Sequence, residues 1–268
     1  MNAITAKFEQ IIVAGHDGVG TITLNNPVLK NAATPAMVRE IMAALDAFEA
    51  PDSGVRCIVM SGSGNAFCSG GSLRPGDSEN TGPADAGYTL EATHNPLILR
   101  LRGLTVPFIT AVNGAAVGFG ASLALMGDLV LAASSSFFLH GFRNVGLIPD
   151  GGATWMLPRV IGRARAMEMS LLGERLSAAQ AFEWGIVNRV YEDDELIAQV
   201  RRVAVSIATG PTRSFAITRR LYWDGAERCF EEQLAAERQA QRAVGATEDY
   251  QEGVAAFRQR RAPVFKGR

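Results

Sequence analysis

The sequence is short of unbalanced charge, cysteine, histidine and long apolar runs, and each shortage excludes a class of function. Its 26 basic side chains meet 27 acidic ones, for a formal net charge of −1. Such a balance carries no electrostatic footprint for nucleic acid or an anionic membrane as partner. No apolar stretch approaches the length of a membrane span, so no membrane partner is expected. Met1-Asn2-Ala3-Ile4-Thr5 lacks a basic segment followed by an apolar one, which predicts no secretory signal and a cytoplasmic location. Cys57, Cys68 and Cys229 are far apart and odd in number, so they suggest no disulfide framework and favour a reducing compartment. His16, His94 and His140 share no ligand-like spacing, and no metal site is expected. Three nucleotide and nucleophile signatures are missing as well. Gly118-Phe119-Gly120-Ala121-Ser122-Leu123 has no glycine at the third dinucleotide-fingerprint position, and there is neither a P-loop Lys-Ser/Thr nor a G-x-S-x-G elbow.

What remains is a chain of 268 residues, 47% hydrophobic, long enough for one large domain with or without a smaller appendage. Residues 8–14 and Val19–Leu24 are strand-like, with the turn His16-Asp17-Gly18 between them. Thr34 reads as a helix N-cap and Pro35 as its first turn, opening a helix to about Glu49. Met37, Ile41, Leu45 and Phe48 recur three or four apart, as one buried face requires. Residues 55–61, 108–112 and 129–132 are compact apolar runs suited to buried strands. This alternation predicts an α/β core over residues 1–200. Residues 74–91 form a polar Gly-Pro-Asp-Ser stretch, read as a loop over the surface or the active site. After Val190 the pattern turns helical, with helices expected over 193–208, 211–223, 227–244 and 247–261. Their amphipathic faces suit either closure of the chain's own core or packing on a neighbouring subunit.

Two glycine-bearing segments invite chemistry, residues 65–73 and residues 111–126, where an apolar strand runs through glycines into a helix. Glycine lets backbone approach a ligand and adopt positive φ. The free amides at the helix start near Gly118-Phe119-Gly120 suit an anion. Taken alone, these glycines are better explained by tight helix–strand packing.

The order and wording of the segments resemble the crotonase (enoyl-CoA hydratase/isomerase) family over nearly the whole chain. Val19–Leu24 followed by Asn25-Asn26-Pro27 and Lys30-Asn31-Ala32 resembles its opening. Phe67-Cys68-Ser69-Gly70-Gly71 is similar to its first oxyanion-hole segment, and Ala111-Val112-Asn113-Gly114 through Gly120, then Gly127-Asp128, to its second. Gly146-Leu147-Ile148-Pro149-Asp150-Gly151-Gly152, Gly173-Glu174-Arg175-Leu176-Ser177-Ala178 and the ending Pro263-Val264-Phe265-Lys266-Gly267-Arg268 continue in step. The resemblance implies a spiral of ββα units, then a helical oligomerisation region over residues 201–268, in a homotrimer or dimer of trimers. It implies an acyl-CoA thioester as ligand, with CoA entering as part of the substrate and no other cofactor. The thioester oxygen is expected between the backbone N–H groups of Gly71 and Phe119, which would favour an enolate over the ground-state carbonyl. Lys30, Ser69 and Leu73 are implied contacts of CoA, and Phe257 and Lys266 of its nucleotide end, from this or a neighbouring subunit. The alternatives are a solvated lysine at position 30 and a buried helix anchor at Phe257. Ser72 stands where the family commonly has aspartate, and its hydroxyl can cap the same turn.

The two glutamate positions of the family's hydratases fall on Ser122 and Phe142, neither of which can act as a carboxylate base. Asp150 falls where several isomerases and the chlorobenzoyl-CoA dehalogenases of the family carry a catalytic aspartate. The surrounding wording is nearest to the 1,2-epoxyphenylacetyl-CoA isomerases of phenylacetate breakdown. The implied activity is an acyl-CoA isomerase with Asp150 as proton shuttle. Its rivals are a hydratase with diverged residues and a non-catalytic CoA-ester binder. From the residues alone, Asp150 before Gly-Gly-Ala-Thr also reads as a helix N-cap. Trp155 and Phe142 are read as walls of the acyl pocket or as core aromatics, and His140, Asp77, Glu79, Asp85 and Glu91 as further acid–base candidates.

Overall fold

A computed structural model describes residues 8–74 and 85–268. The chain opens with an antiparallel hairpin, β1 (Ile11–His16) and β2 (Val19–Leu24), followed by α1 (Pro35–Phe48). Three units then repeat a strand, a short strand and a helix. They are β3 (Cys57–Gly62), β4 (Ala66–Cys68) and α2 (Asn95–Arg102), then β5 (Phe108–Val112), β6 (Ala115–Val117) and α3 (Phe119–Ala124), then β7 (Leu129–Ala133), β8 (Phe137–Leu139) and α4 (Ala153–Leu172). Strand β9 (Leu176–Ser177), helix α5 (Ala178–Glu183) and strand β10 (Arg189–Tyr191) complete the sheets.

Each unit divides its strands between two sheets. β3, β5 and β7 lie side by side and parallel in a six-stranded sheet of order β1-β2-β3-β5-β7-β10. β4, β6 and β8 stack in parallel in a second sheet, closed by antiparallel β9. Every unit therefore adds one rung to both sheets, and the chain advances as a spiral.

The alternation of side chains explains why the larger sheet has no wet face over these strands. Ile58 and Met60 of β3, Phe108 and Val112 of β5, and Val130 and Ala132 of β7 enter the main core with α1, α2 and α4. Their neighbours Cys57, Val59, Ile109, Ala111, Leu131 and Ala133 enter a second core under α6 (Leu196–Ala208). A parallel strand covered on both faces reads as a continuous apolar run, as these do. The start of α1 is as expected, with the Thr34 hydroxyl accepting the Met37 N–H at 3.1 Å and Pro35 in its first turn.

Several boundaries differ from the sequence reading. The first strand begins at Ile11 rather than residue 8, because the Glu40 carboxylate takes the N–H groups of Glu9 and Gln10, both at 2.8 Å. It runs on through His16, so the turn is the two-residue Asp17-Gly18, with φ of 54° and 76°, the left-handed pair that a tight hairpin requires. The next strand begins at Cys57, since Arg56 N–H and Cys57 N–H both turn back to the Gly18 carbonyl.

Three further helices follow, α7 (Thr212–Gly225), α8 (Phe230–Val244) and α9 (Glu248–Gln259). Arg219 of α7 is buried against the body of the chain. It donates to both oxygens of Asp128 at 2.7 and 2.8 Å and to the carbonyls of Leu101, Arg102 and Leu104. The C-terminal tail folds back too, with Lys266 N–H and Gly267 N–H donating to the Asp249 carboxylate. α8 buries none of its residues. The helical region thus closes its own core through α7 and leaves an unburied α8. Among the described residues, no helix is long and apolar enough to cross a membrane.

Candidate active site

The two glycine segments meet where β4 and β6 end. Gly120 packs so tightly on this side that a Cβ there would stand 2.2 Å from the Cys68 carbonyl oxygen. Asn31, buried and left-handed at φ 57°, fixes the loop beneath by donating to the carbonyls of Ser63 and Ala66 and accepting the Asn26 N–H. The first segment is held by a parallel bridge between Ala33 and Gly71. In it Ala33 N–H donates to the Gly70 carbonyl at 2.8 Å and Ser72 N–H to the Ala33 carbonyl at 3.4 Å. That pattern uses the groups on either side of Gly71 and turns the Gly71 N–H to the opposite edge. The second segment turns at Gly118, φ 54°, and places Phe119 first in α3, where the amides have no carbonyl one turn back. The two approach closely, since a Cβ on Gly70 would lie 3.7 Å from the Phe119 nitrogen and one on Gly118 4.0 Å from the Gly70 Cα. The Gly71 and Phe119 amides thus sit on adjoining segments, an arrangement suited to two main-chain donors sharing one anionic oxygen.

Aromatic and polar groups close around the pair. Phe142, from the 3₁₀ turn Gly141–Val145, reaches Gly118, its Cζ 3.6 Å from a Cβ there. His94, at the end of the π-turn Leu90–His94, stacks on the Phe119 ring at 3.9 Å between centroids and 12° between planes. Its Cε1 stands 2.9 Å from a Cβ on Gly71, so a side chain at position 71 would strike the imidazole. Burial holds the His94 pKa down at about 4, against an opposing influence of the nearby Ala33 main chain, which lies outside hydrogen-bond geometry.

Asp150 approaches from the third side. Ser122, fully buried, donates its hydroxyl to the Asp150 carbonyl at 2.8 Å, and Gly151 lies against Ser122 and the Phe119 ring. The Asp150 carboxyl is half-buried, one of its oxygens has no hydrogen-bond partner among the described residues, and burial raises its pKa to about 6. The N-cap alternative for Asp150 is overturned. Gly151 and Gly152 are both left-handed, which moves the helix start to Ala153 with Gly152 as cap, and the Asp150 side chain caps nothing.

The other candidates are distributed unevenly. Lys30 is exposed and left-handed, and its carbonyl accepts the Ser69 N–H, so Lys30 and Ser69 adjoin the first segment; Leu73 is exposed just beyond it. The Ser72 hydroxyl accepts the Arg74 N–H at 3.4 Å, the turn-capping role expected of it. Trp155 turns away from the glycine pair to stack on Trp223 of α7 beneath Arg159, lining a cleft of about 720 Å³. Phe257 is 85% exposed, which overturns the buried-anchor alternative. It lines a cleft of about 800 Å³ among α7, α8 and α9, while the Lys266 ammonium pairs with Glu248 at 3.3 Å. Neither Gly71 nor Phe119 lines the cleft at Phe257 or the one at Lys266. His140 is buried, and burial lowers its pKa to about 4; Asp85 and Glu91 are exposed. Asp77 and Glu79 lie outside the described residues. Among the described residues no cluster of His, Cys, Asp and Glu could hold a metal ion. His94 was absent from the sequence-based candidates, because nothing local in its sequence ties it to glycines far away in the chain.

The architecture has counterparts among known proteins. A 1,2-epoxyphenylacetyl-CoA isomerase of Escherichia coli strain K12 is 43% identical over 252 residues, covering 94% of this chain and 96% of the relative. A 2,3-dehydroadipyl-CoA hydratase of the same strain is 32% identical, covering 97% of this chain and 99% of the relative. The crystal structure of an enoyl-CoA hydratase from Polaromonas sp. JS666 superposes with a TM-score of 0.89 at 33% identity, covering 96% of this chain and 99% of the other. The family model described as enoyl-CoA hydratase/isomerase matches residues 14–268. With the fold, the spiral of units and near-complete coverage in agreement, the chain belongs to the enoyl-CoA hydratase/isomerase family.

Proposed function

We propose that the protein is an acyl-CoA isomerase that shifts a double bond, or opens a ring epoxide, through a thioester enolate held by Gly71 N–H and Phe119 N–H. The observation that carries this reading is Asp150 itself, whose main-chain carbonyl is held by Ser122 of α3 and whose half-buried carboxyl keeps an unpartnered oxygen. The two positions that would supply a water-activating pair hold Ser122, whose hydroxyl is committed to the Asp150 carbonyl, and Phe142, which is apolar. In the double-bond shift, the Asp150 carboxylate removes a proton from the α-carbon of a 3-enoyl thioester. The electron pair passes to the carbonyl oxygen between the two amides, and the carboxylic acid returns the proton to the γ-carbon, leaving a conjugated 2-enoyl thioester. No atom is gained or lost, so one carboxyl suffices. A pKa of about 6 leaves Asp150 mostly ionised at neutral pH while its acid form is still a competent donor.

In the same reading Lys30, Ser69 and Leu73 flank the CoA moiety beside the first segment. Phe257 and Lys266 reach it only from a neighbouring copy, in a trimer or a dimer of trimers for which α8 and the exposed Phe230 and Leu234 offer surface.

Separate incubations with a 3-enoyl-CoA and with crotonyl-CoA test the reading. The first is expected to gain the absorbance of a conjugated thioester, and the second to show no hydration. Asp150→Asn is expected to abolish the shift while CoA-ester binding survives; near-wild-type turnover would remove Asp150 from the mechanism. A hydratase, the reading the dehydroadipyl-CoA relative favours, would instead bleach crotonyl-CoA, and a silent binder would bind both thioesters and turn over neither.

A further inference from the structure

Ser122 spends its hydroxyl outside its own helix. It sits in α3 one turn after Phe119, is fully buried, and donates to the main-chain carbonyl of Asp150 at 2.8 Å, 28 residues away. A serine inside a helix ordinarily turns its hydroxyl to solvent or back to the carbonyl of the preceding turn. The fold does not need this link to satisfy its polar groups, because the Asp150 carbonyl also accepts the Ala153 N–H at 3.1 Å. Alanine at position 122 would favour the helix and leave neither partner unpaired. What the hydroxyl adds is a tie between two segments.

The tied segment follows an exposed stretch. Residues 143–148 lead into it on the surface, with Ile148 78% exposed. Asp150-Gly151-Gly152-Ala153 then close a hydrogen-bonded turn with φ of 59° and 82° at the two glycines, the positive pair of a type I′ turn. The turn lies flush on α3, since a Cβ on Gly151 would stand 2.8 Å from the Ser122 Cβ and 3.0 Å from the Phe119 ring. Apolar contact alone lets such a turn slide along the helix, whereas a hydrogen bond fixes it laterally.

We propose that Ser122 is a positioning residue whose hydroxyl pins the Asp150 turn to α3, so that one helix aims both the Phe119 amide and the acid. The proposal rests on the isomerase reading above, in which Asp150 moves the proton, and adds the group that keeps the acid in register. A carboxyl that serves two carbons of one acyl chain in turn has little tolerance for lateral drift.

Steady-state isomerisation of 3-hexenoyl-CoA by the wild type, Ser122→Ala and Asp150→Asn tests it. Ser122→Ala is expected to lower kcat by about 10–10²-fold with KM unchanged, the mark of an interaction realised in the transition state. The pH profile supplies a readout that packing alone does not move. Burial raises the Asp150 pKa to about 6, and kcat/KM of the wild type falls below that pH as the base is protonated. A turn freed from α3 admits water to the carboxyl, so in Ser122→Ala this acid limb moves to lower pH. A variant that loses stability but keeps the wild-type kcat, or keeps the wild-type acid limb, overturns the proposal and leaves the isomerase reading standing. Should Ser122→Ala fail to fold, Ser122→Cys, similar in shape and a weaker donor, is held to the same two readouts. No isomerisation by the wild type, or near-wild-type turnover by Asp150→Asn, removes the isomerase reading and this proposal with it.

Discussion

Asp150→Asn is expected to make the protein more stable at alkaline pH while removing its proposed activity. The carboxyl has an ordinary value of 3.8 and burial raises it to about 6. A carboxyl with a raised folded pKa binds its proton more tightly in the folded protein. Stability therefore falls as pH rises from near 4 through about 6, and the loss is complete above that range. The gap between the two values corresponds to about 3 kcal/mol at most. Asparagine keeps the shape and removes the ionisation, but it brings an N–H pair to a site where a carboxyl oxygen already lacks a partner, and these added unpaired donors offset about 1–2 kcal/mol. The net expectation at pH 8 is a gain of about 1–2 kcal/mol, or several degrees in Tm for a chain of this size. The gain disappears near pH 4, where the wild-type carboxyl is protonated too. Urea denaturation of both proteins at the two pH values, at one protein concentration, measures it. A pH-independent difference, or an Asn variant that is less stable at pH 8 than at pH 4 relative to wild type, would show that burial does not perturb this carboxyl and would weaken its claim to proton transfer.

Two further expectations test the surroundings. Gly71→Ala places a methyl group 2.9 Å from His94 Cε1, so the bridge to Ala33 shifts and the donor is misaimed, for a loss of about 10²–10³ in kcat with the fold retained; steady-state kinetics with circular dichroism as the folding control measures it, and unchanged kcat would remove Gly71 as a donor. The native mass, read by light scattering, is expected near three or six times the 28.6 kDa of one chain, and a monomer would show that α8 serves no assembly.

Much of the scaffold was legible because its signals are local. Thr34 and Pro35 mark a helix start within two residues, and Met37, Ile41, Leu45 and Phe48 then fix the buried face. The glycines at 70–71 and 118–120 could be found by composition and order. What could not be read depends on where distant groups dock. The Cys57–Gly62 run is apolar on both faces, so its alternation between two cores leaves no periodic trace in the sequence. Asp150 looks like a cap until Gly151 and Gly152 adopt left-handed backbone and carry the helix start past it. The start of the first strand is not a local property either, because a carboxylate in α1, Glu40, captures the amides of residues 9 and 10. His94 escaped notice for the same reason, since only the docking of its turn onto Gly71 and Phe119 gives it a neighbourhood.

The bridge between Ala33 and Gly71 has a consequence for how the site comes into being. The orientation of one amide is set by a residue following the opening hairpin, that of the other by a turn more than forty positions further on, and the acid arrives later still in the chain. No contiguous fragment shorter than residues 33–150 contains all three. A nascent or truncated polypeptide can possess every sheet rung up to β6 and still have no competent cavity, so chemistry appears in one step, when the last of these distant pieces is stitched into place.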